Sequence, residues 1–172
     1  MDLFLGKSWD YCFHMIKKRL GTEPPHNLHE TYMKKLFVQF EKNLNPIEGI
    51  QFALDNISYP ICVASSGPHL KINRTLSITG LLERFGKHVY SADDVKFGKP
   101  APDLFLHAAM EMSATPSNTL VIEDSTAGVE AAYSAGMTPL AFCSKKTNSA
   151  IGKSETIVFR NMRELPDLIN RL

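Results

Sequence analysis

Apolar side chains recur at helical spacing near the start of the chain. Trp9, Phe13, Ile16 and Leu20 are separated by 4, 3 and 4 positions, which is one face of a 3.6-residue helix. Ser8 stands where a helix cap belongs and Gly21 where the helix ends. Residues 22–27, with Pro24-Pro25, read as a loop. A second helix is expected from about residue 28 to 43, with Tyr32, Leu36, Phe37 and Phe40 on one side. Two such helices form a hairpin that cannot bury both apolar faces alone, so it is expected to pack on something else.

The pattern changes after Pro46. A helix over residues 47–56 leads into the continuous apolar run 60–64, which ends in Ser65-Ser66-Gly67-Pro68. A helix with Leu70, Ile72 and Leu76 follows. Strands are expected at 88–90, 120–122, 138–143 and 156–159, and helices at 102–112 and 126–135, the last stopping at Gly136. Short all-apolar strands alternating with helices predict an α/β fold, with a parallel sheet covered on both faces. No internal repeat interrupts the pattern.

Composition narrows the function classes. The chain has 172 residues, 44% of them hydrophobic, and a formal net charge of +1. That is one core domain with at most a small second lobe. The balance of charge gives no electrostatic case for nucleic acid or an anionic membrane surface. No apolar run is long enough to span a bilayer, and the first residues do not pattern as a signal peptide. Cys12, Cys62 and Cys143 are far apart and form no C-x-x-C, which fits reduced cysteines in a cytosolic (cytoplasmic) protein.

Candidate chemistry lies at the strand ends, where open parallel sheets bind ligands. Ser65, Ser66 and Gly67 follow one strand. They read either as a simple turn or as a phosphate loop whose backbone amides face an anion. Lys99 opens Lys99-Pro100-Ala101-Pro102, where the prolines remove competing donors and stiffen the chain. Glu123-Asp124 follows another strand. The pair either caps the next helix or, since adjacent carboxylates after an apolar strand demand a partner, holds a hard cation. Together these residues favour phosphate and a metal ion. Gly6-Lys7-Ser8 resembles the end of a P-loop, but Met1 stands where its first glycine belongs and no strand precedes it, so a turn and cap is the reading. Lys7 and Trp9 remain candidates to face a substrate. His26 and His29 read as solvated loop histidines, and Asp93-Asp94 as a turn or helix start.

These residues carry a resemblance. Ile61 to Ser66, Gly98-Lys99-Pro100-Ala101-Pro102-Asp103 and Val121-Ile122-Glu123-Asp124-Ser125 resemble the second, third and fourth motifs of the haloacid dehalogenase (HAD) superfamily, on its β-phosphoglucomutase-like and sugar-phosphate phosphatase branch. Residues 79–85, Gly128, Ala131-Ala132 and Ala135-Gly136-Met137 fit the connecting segments, and Phe4 to Ser8 resembles a cap loop facing the substrate. The resemblance implies a Rossmann-like core over residues 46–172 and a partial helical cap over 1–45. It also implies a departure: the first motif, D-x-D-G-T on the central strand, is absent from this sequence. A truncated product lacking that strand is the expectation, with an unfilled place between the Ser65 and Glu123 strands.

The implied activity is that of a phosphatase, a phosphoric monoester hydrolase acting on a small phosphorylated metabolite such as a sugar phosphate. Ser65, Ser66, Gly67, Lys7 and Lys99 would hold the phosphoryl group, Lys99 also neutralising charge on transfer. Asp124, with Glu123 directly or through water, would hold Mg²⁺. A phosphomutase, or a non-catalytic remnant binding phosphate or a partner, are the alternatives. Oligomeric state is not legible.

Overall fold

The computed structural model describes residues 9–143 and 155–172. Two helices open the described chain, α1 (Trp9–Leu20) and α2 (Leu28–Asn43). Gly21, at φ +69°, donates its N–H to the Lys17 carbonyl and ends α1, a left-handed turn that glycine makes at no steric cost. The helices meet through aromatic rings. Trp9 lies against Phe13 of its own helix, and against His29 and Tyr32 of α2 at centroid distances of 4.4 and 5.7 Å. His29 is thus a first-turn residue of α2, which starts at Leu28 as the periodicity predicts, and it lies against an indole instead of being the solvated loop histidine expected. No residue of α2 is buried. It reaches the remainder of the molecule at α4 (His69–Ile78), where Arg74 pairs with Glu41.

The remaining elements are α3 (Ile50–Asp55), β1 (Val63–Ser65), α5 (Leu82–Phe85), β2 (Val89–Ser91), α6 (Asp103–Glu111), β3 (Leu120–Glu123), α7 (Thr126–Ser134), β4 (Thr138–Phe142), β5 (Ile157–Phe159) and α8 (Leu165–Ile169). A 3₁₀ turn, Ala92–Asp94, follows β2. Every helix and strand read from periodicity in the described residues is present, with ends shifted by a few positions. The run at 60–64 pairs only from Val63 onward, because its partner β2 enters the ladder at His88, whose carbonyl accepts from Val63 N–H.

All strand pairs are parallel. Successive side chains of a strand point to opposite faces, and two apolar clusters follow from this. Val121 packs with Phe105, Ala109, Ala131, Ala132, Ala135 and Met137 under α6 and α7. Leu140 and Phe142 pack with Ala53, Phe159, Met162 and Leu165 toward α3 and α8. Small residues along α7 let it lie close to the sheet.

Among the described residues the strands form two sheets, β1–β2 and β3–β4–β5, with no ladder joining the Ser65 and Glu123 strands. The structure corrects the expectation that the sheet is covered on both faces. Ile122 lies beside Leu140 in the ladder yet is 37% exposed, so coverage on that face is incomplete. Three- to five-residue strands bury too little to cover both faces along their whole length. Among the described residues no helix is long and apolar enough to cross a membrane.

Two sheets without a shared ladder have no backbone-to-backbone ladder bonds to couple their unfolding, and their facing edges present unpaired groups. The purified chain is expected to melt with a van't Hoff enthalpy well below the calorimetric one and to self-associate as concentration rises. Calorimetry with light scattering checks this; a single sharp transition of a monomer with matching enthalpies would show that the sheets unfold as one unit.

Candidate functional site

The site is built at the carboxyl ends of β1 and β3, with one side chain crossing between the sheets. Lys99 precedes α6, and its peptide bond to Pro100 is cis. Its Nζ donates to the Ala64 carbonyl on β1, at 3.1 Å, and to Glu123 Oε1 at the end of β3. The Phe105 ring centroid is 4.5 Å from the ammonium, so an aromatic face supplies part of the lost hydration. Both charged side chains are buried, Lys99 at 8% and Glu123 at 9% exposure. A buried pair persists only when its other hydrogen-bonding sites are satisfied, and on the carboxylate they are. Glu123 Oε2 accepts from Asp124 N–H, Ser125 N–H and Ser125 Oγ at 3.1, 3.0 and 2.8 Å.

Local sequence explains that turn. Ser125 caps α7, its Oγ accepting from Gly128 N–H at 3.1 Å. Gly128 has no side chain because any Cβ there would run into the Glu123 carboxylate. Asp124 points to solvent beside this pair. Crowding by neighbouring atoms, then the negative charge of Glu123, push its carboxyl above the ordinary range, while its own amide and Lys99 pull it back. No cation pairs with it among the described residues, and a bound cation would relieve this repulsion.

On the β1 side, Ser65 Oγ accepts from Gly67 N–H at 3.2 Å, closing a tight turn into α4. Ser66 is exposed at its tip. The amides do not all face outward as expected. Gly67 N–H is held by Ser65, and His69 N–H by Asp93 Oδ2 at 3.3 Å. An alanine Cβ at position 67 would make only ordinary contacts, the closest Lys71 Cδ at 3.5 Å, so glycine is not required there by space. Asp94 and Ser91 form a reciprocal cap on the 3₁₀ turn, as a helix-start reading of this pair predicts.

The structure therefore brings together Ser65, Ser66, Gly67, Lys99, Glu123 and Asp124. Lys7 lies outside the described residues. His26 is exposed in its loop, and among the described residues no group of three or more His, Cys, Asp and Glu side chains could hold a metal ion. Sequence reasoning missed Lys71, His69 and Ser91 around the β1 loop. Lys71 had a signal, a cation in the first turn of the helix after a serine-glycine turn. The other two had none short of the fold.

Residues 22–136 match the haloacid dehalogenase-like hydrolase family. The chain belongs to that family. It is 33% identical over 129 residues to 6-phosphogluconate phosphatase of Escherichia coli (strain K12), an alignment covering 75% of this chain and 58% of that enzyme. Fructose-1-phosphate phosphatase YqaB of the same organism is 38% identical over 78 residues, 45% of this chain and 41% of the enzyme. A conserved haloacid dehalogenase-like protein of unknown function from Agrobacterium tumefaciens superposes with a TM-score of 0.79 at 29% identity, covering 98% of this chain and 79% of that one. The chain thus spans less than two thirds of the length of the Escherichia coli phosphatase.

The pair geometry makes a measurable claim about Lys99→Met. Removing the ammonium leaves Glu123 ionised and buried without its counter-charge, at a loss of about 3–5 kcal/mol. Glu123→Gln in the same chain should recover much of that loss, since the amide oxygen still accepts from the α7 turn. Chemical denaturation of the two single variants and the double variant gives the coupling; strict additivity would mean that the two side chains do not act as a pair in solution.

Proposed function

We propose that this chain supplies the phosphate-holding and cation-holding side of a phosphatase acting on a small phosphorylated metabolite, with a sugar phosphate as the favoured class. The observation that carries the reading is the placement of Lys99. Two of its three ammonium hydrogens go to Ala64 O and Glu123, which leaves one for an anion between the strand ends. Ser65 and Ser66 border that position from β1. A phosphoryl oxygen there would meet a fixed positive charge that needs no reorganisation, which is how such sites stabilise developing charge. The two Escherichia coli relatives, named for phosphatase activity on 6-phosphogluconate and fructose 1-phosphate, support this substrate class.

Asp124 is the residue suited to a hard divalent cation. It is solvent-exposed and carries a charge that Glu123 opposes, whereas Glu123 has both oxygens engaged inside the protein. Mg²⁺ fits this donor, because it takes few protein oxygens and keeps several waters; when bound it would screen the phosphoryl charge. Glu123 then acts on Lys99, fixing the ammonium, rather than as a direct ligand. The lobe expected over residues 1–45, of which α1 and α2 form the described part, is proposed to select the substrate.

A second reading, a phosphate-binding protein without turnover, draws on a different observation. No D-x-D occurs in the sequence, and the two carboxylates at the site are Glu123, paired with Lys99, and Asp124 at the cation position. An attack on phosphorus requires a further carboxylate, by the aspartyl-phosphate chemistry that the family resemblance implies. The chain by itself is therefore expected to bind inorganic phosphate more tightly with Mg²⁺ present, and to show no steady turnover of p-nitrophenyl phosphate. Asp124→Asn should abolish the Mg²⁺ enhancement. Equilibrium dialysis with radiolabelled phosphate and a colorimetric assay check the two halves; steady turnover that Asp124→Asn removes would show that the nucleophile lies within these residues.

A further inference from the structure

Around the β1 loop lies a hydrogen-bond network that none of the roles above uses. Ser91, at the end of β2, is wholly buried. Its Oγ donates to the Gly67 carbonyl at 2.8 Å and accepts from Asp93 N–H at 3.0 Å. Its own N–H donates to Asp94 Oδ2 at 2.7 Å. The second oxygen of Asp94 lies 2.8 Å from His69 Nε2, in the first turn of α4. Asp93 Oδ2 accepts from His69 N–H. Three contacts thus tie the turn after β2 to Gly67 and His69 of the loop, across 24 or 25 positions of sequence, and two more brace the turn itself.

We infer that Ser91, Asp94 and His69 are positioning residues that hold the Ser65–Gly67 loop in the conformation that accepts a phosphoryl group. The inference rests on the phosphate reading of that loop. The loop itself contains only one short internal restraint, Gly67 N–H to Ser65 Oγ at 3.2 Å. A peptide of this length, tipped by an exposed serine, samples many conformations unless tied. Engaging the Gly67 carbonyl and the His69 amide fixes the backbone on each side of Pro68, directly after Ser66. Among the described residues no internal acceptor takes Ser66 N–H, so this donor stays available in a fixed direction. Pre-organisation of this kind raises affinity by removing the ordering cost of binding.

The Asp94 end of the network is held ionised. Burial pushes the Asp94 carboxyl up, but the His69 hydrogen bond and Ser91 N–H outweigh it and hold it below the usual carboxylate range. The groups facing Asp94 are His69 on α4 and, more distantly, His107 on α6. An ionised Asp94 accepts from Ser91 and His69 together, and an amide in its place offers one oxygen for two donors.

The test uses the whole chain and inorganic phosphate. Asp94→Asn and His69→Ala should each weaken phosphate binding roughly tenfold, the size of one lost charge-assisted hydrogen bond. Both should speed hydrogen exchange in peptides spanning 65–70 while peptides of β3, β4 and α7 exchange as in the wild type. His69→Gln keeps a donor near the Nε2 position and should regain most of the affinity. Should Asp94→Asn fold poorly, the comparison of His69→Ala with His69→Gln stands alone, since His69 is on the surface. Wild-type binding with both His69 variants equal to it would overturn the positioning role, as would uniform acceleration of exchange throughout the molecule with unchanged affinity. Absence of phosphate binding by the wild type, with no protection at 65–70 or 97–103, would instead remove the phosphate reading and this inference with it.

Discussion

The buried pair between Lys99 and Glu123 is the constraint on which the rest of the site depends. It crosses between two sheets that share no ladder among the described residues, and does so through a strand carbonyl on one side and a helix-capping carboxylate on the other. Such a pair is weak evidence for stability, since desolvation offsets most of the Coulomb attraction. What it secures is placement. An ammonium held by two acceptors and an aromatic ring has little freedom left, and its third hydrogen must point where the others do not. The glycine at 128 belongs to the same constraint: Glu123 reaches into the space a side chain would occupy, so the residue type four positions after Asp124 follows from where the carboxylate has to lie.

Much of the fold was legible because local pattern and fold agree. Helical spacing at Trp9, Phe13 and Ile16, the proline and glycine punctuation, and all-apolar runs of strand length each identify one element. The three segments of the site were legible for a related reason. Parallel strands carry ligands at their carboxyl ends, so serine after one run and adjacent carboxylates after another stand out in the chain itself. A break between the Ser65 and Glu123 strands was implied by the family resemblance, but which face of a strand is covered was not legible in local pattern. Residues 120–122 are apolar throughout, yet Ile122 is exposed while Val121 is buried, and only the arrangement of neighbouring elements decides which is covered.

The roles within Glu123-Asp124 were less legible than their presence. Adjacent strand-end carboxylates point to opposite sides of the turn, and the sequence does not say which meets the lysine. In the structure the first turns inward and is consumed by Lys99 and the α7 cap, while the second faces solvent. The same holds for Asp93-Asp94. A turn role was readable, but the contact of Asp94 with His69 joins positions 25 apart, and nothing local marks a pairing at that distance.

The two acidic pairs show how one residue type serves different ends through geometry. Asp94 is flanked by donors, and its charge is satisfied within the protein. Asp124 is flanked by another carboxylate, and its charge is opposed there. A satisfied carboxylate organises backbone; an opposed one is poised for a cation. Both lie at the carboxyl ends of strands, one following β2 and the other β3, in the two different sheets. The arrangement separates order from chemistry. The part of the site that must not move is tied by hydrogen bonds around Ser91, and the part that must exchange a ligand is left with unbalanced charge. A site built the other way, with the opposed carboxylate buried and the satisfied one exposed, would lose its loop whenever it lost its cation.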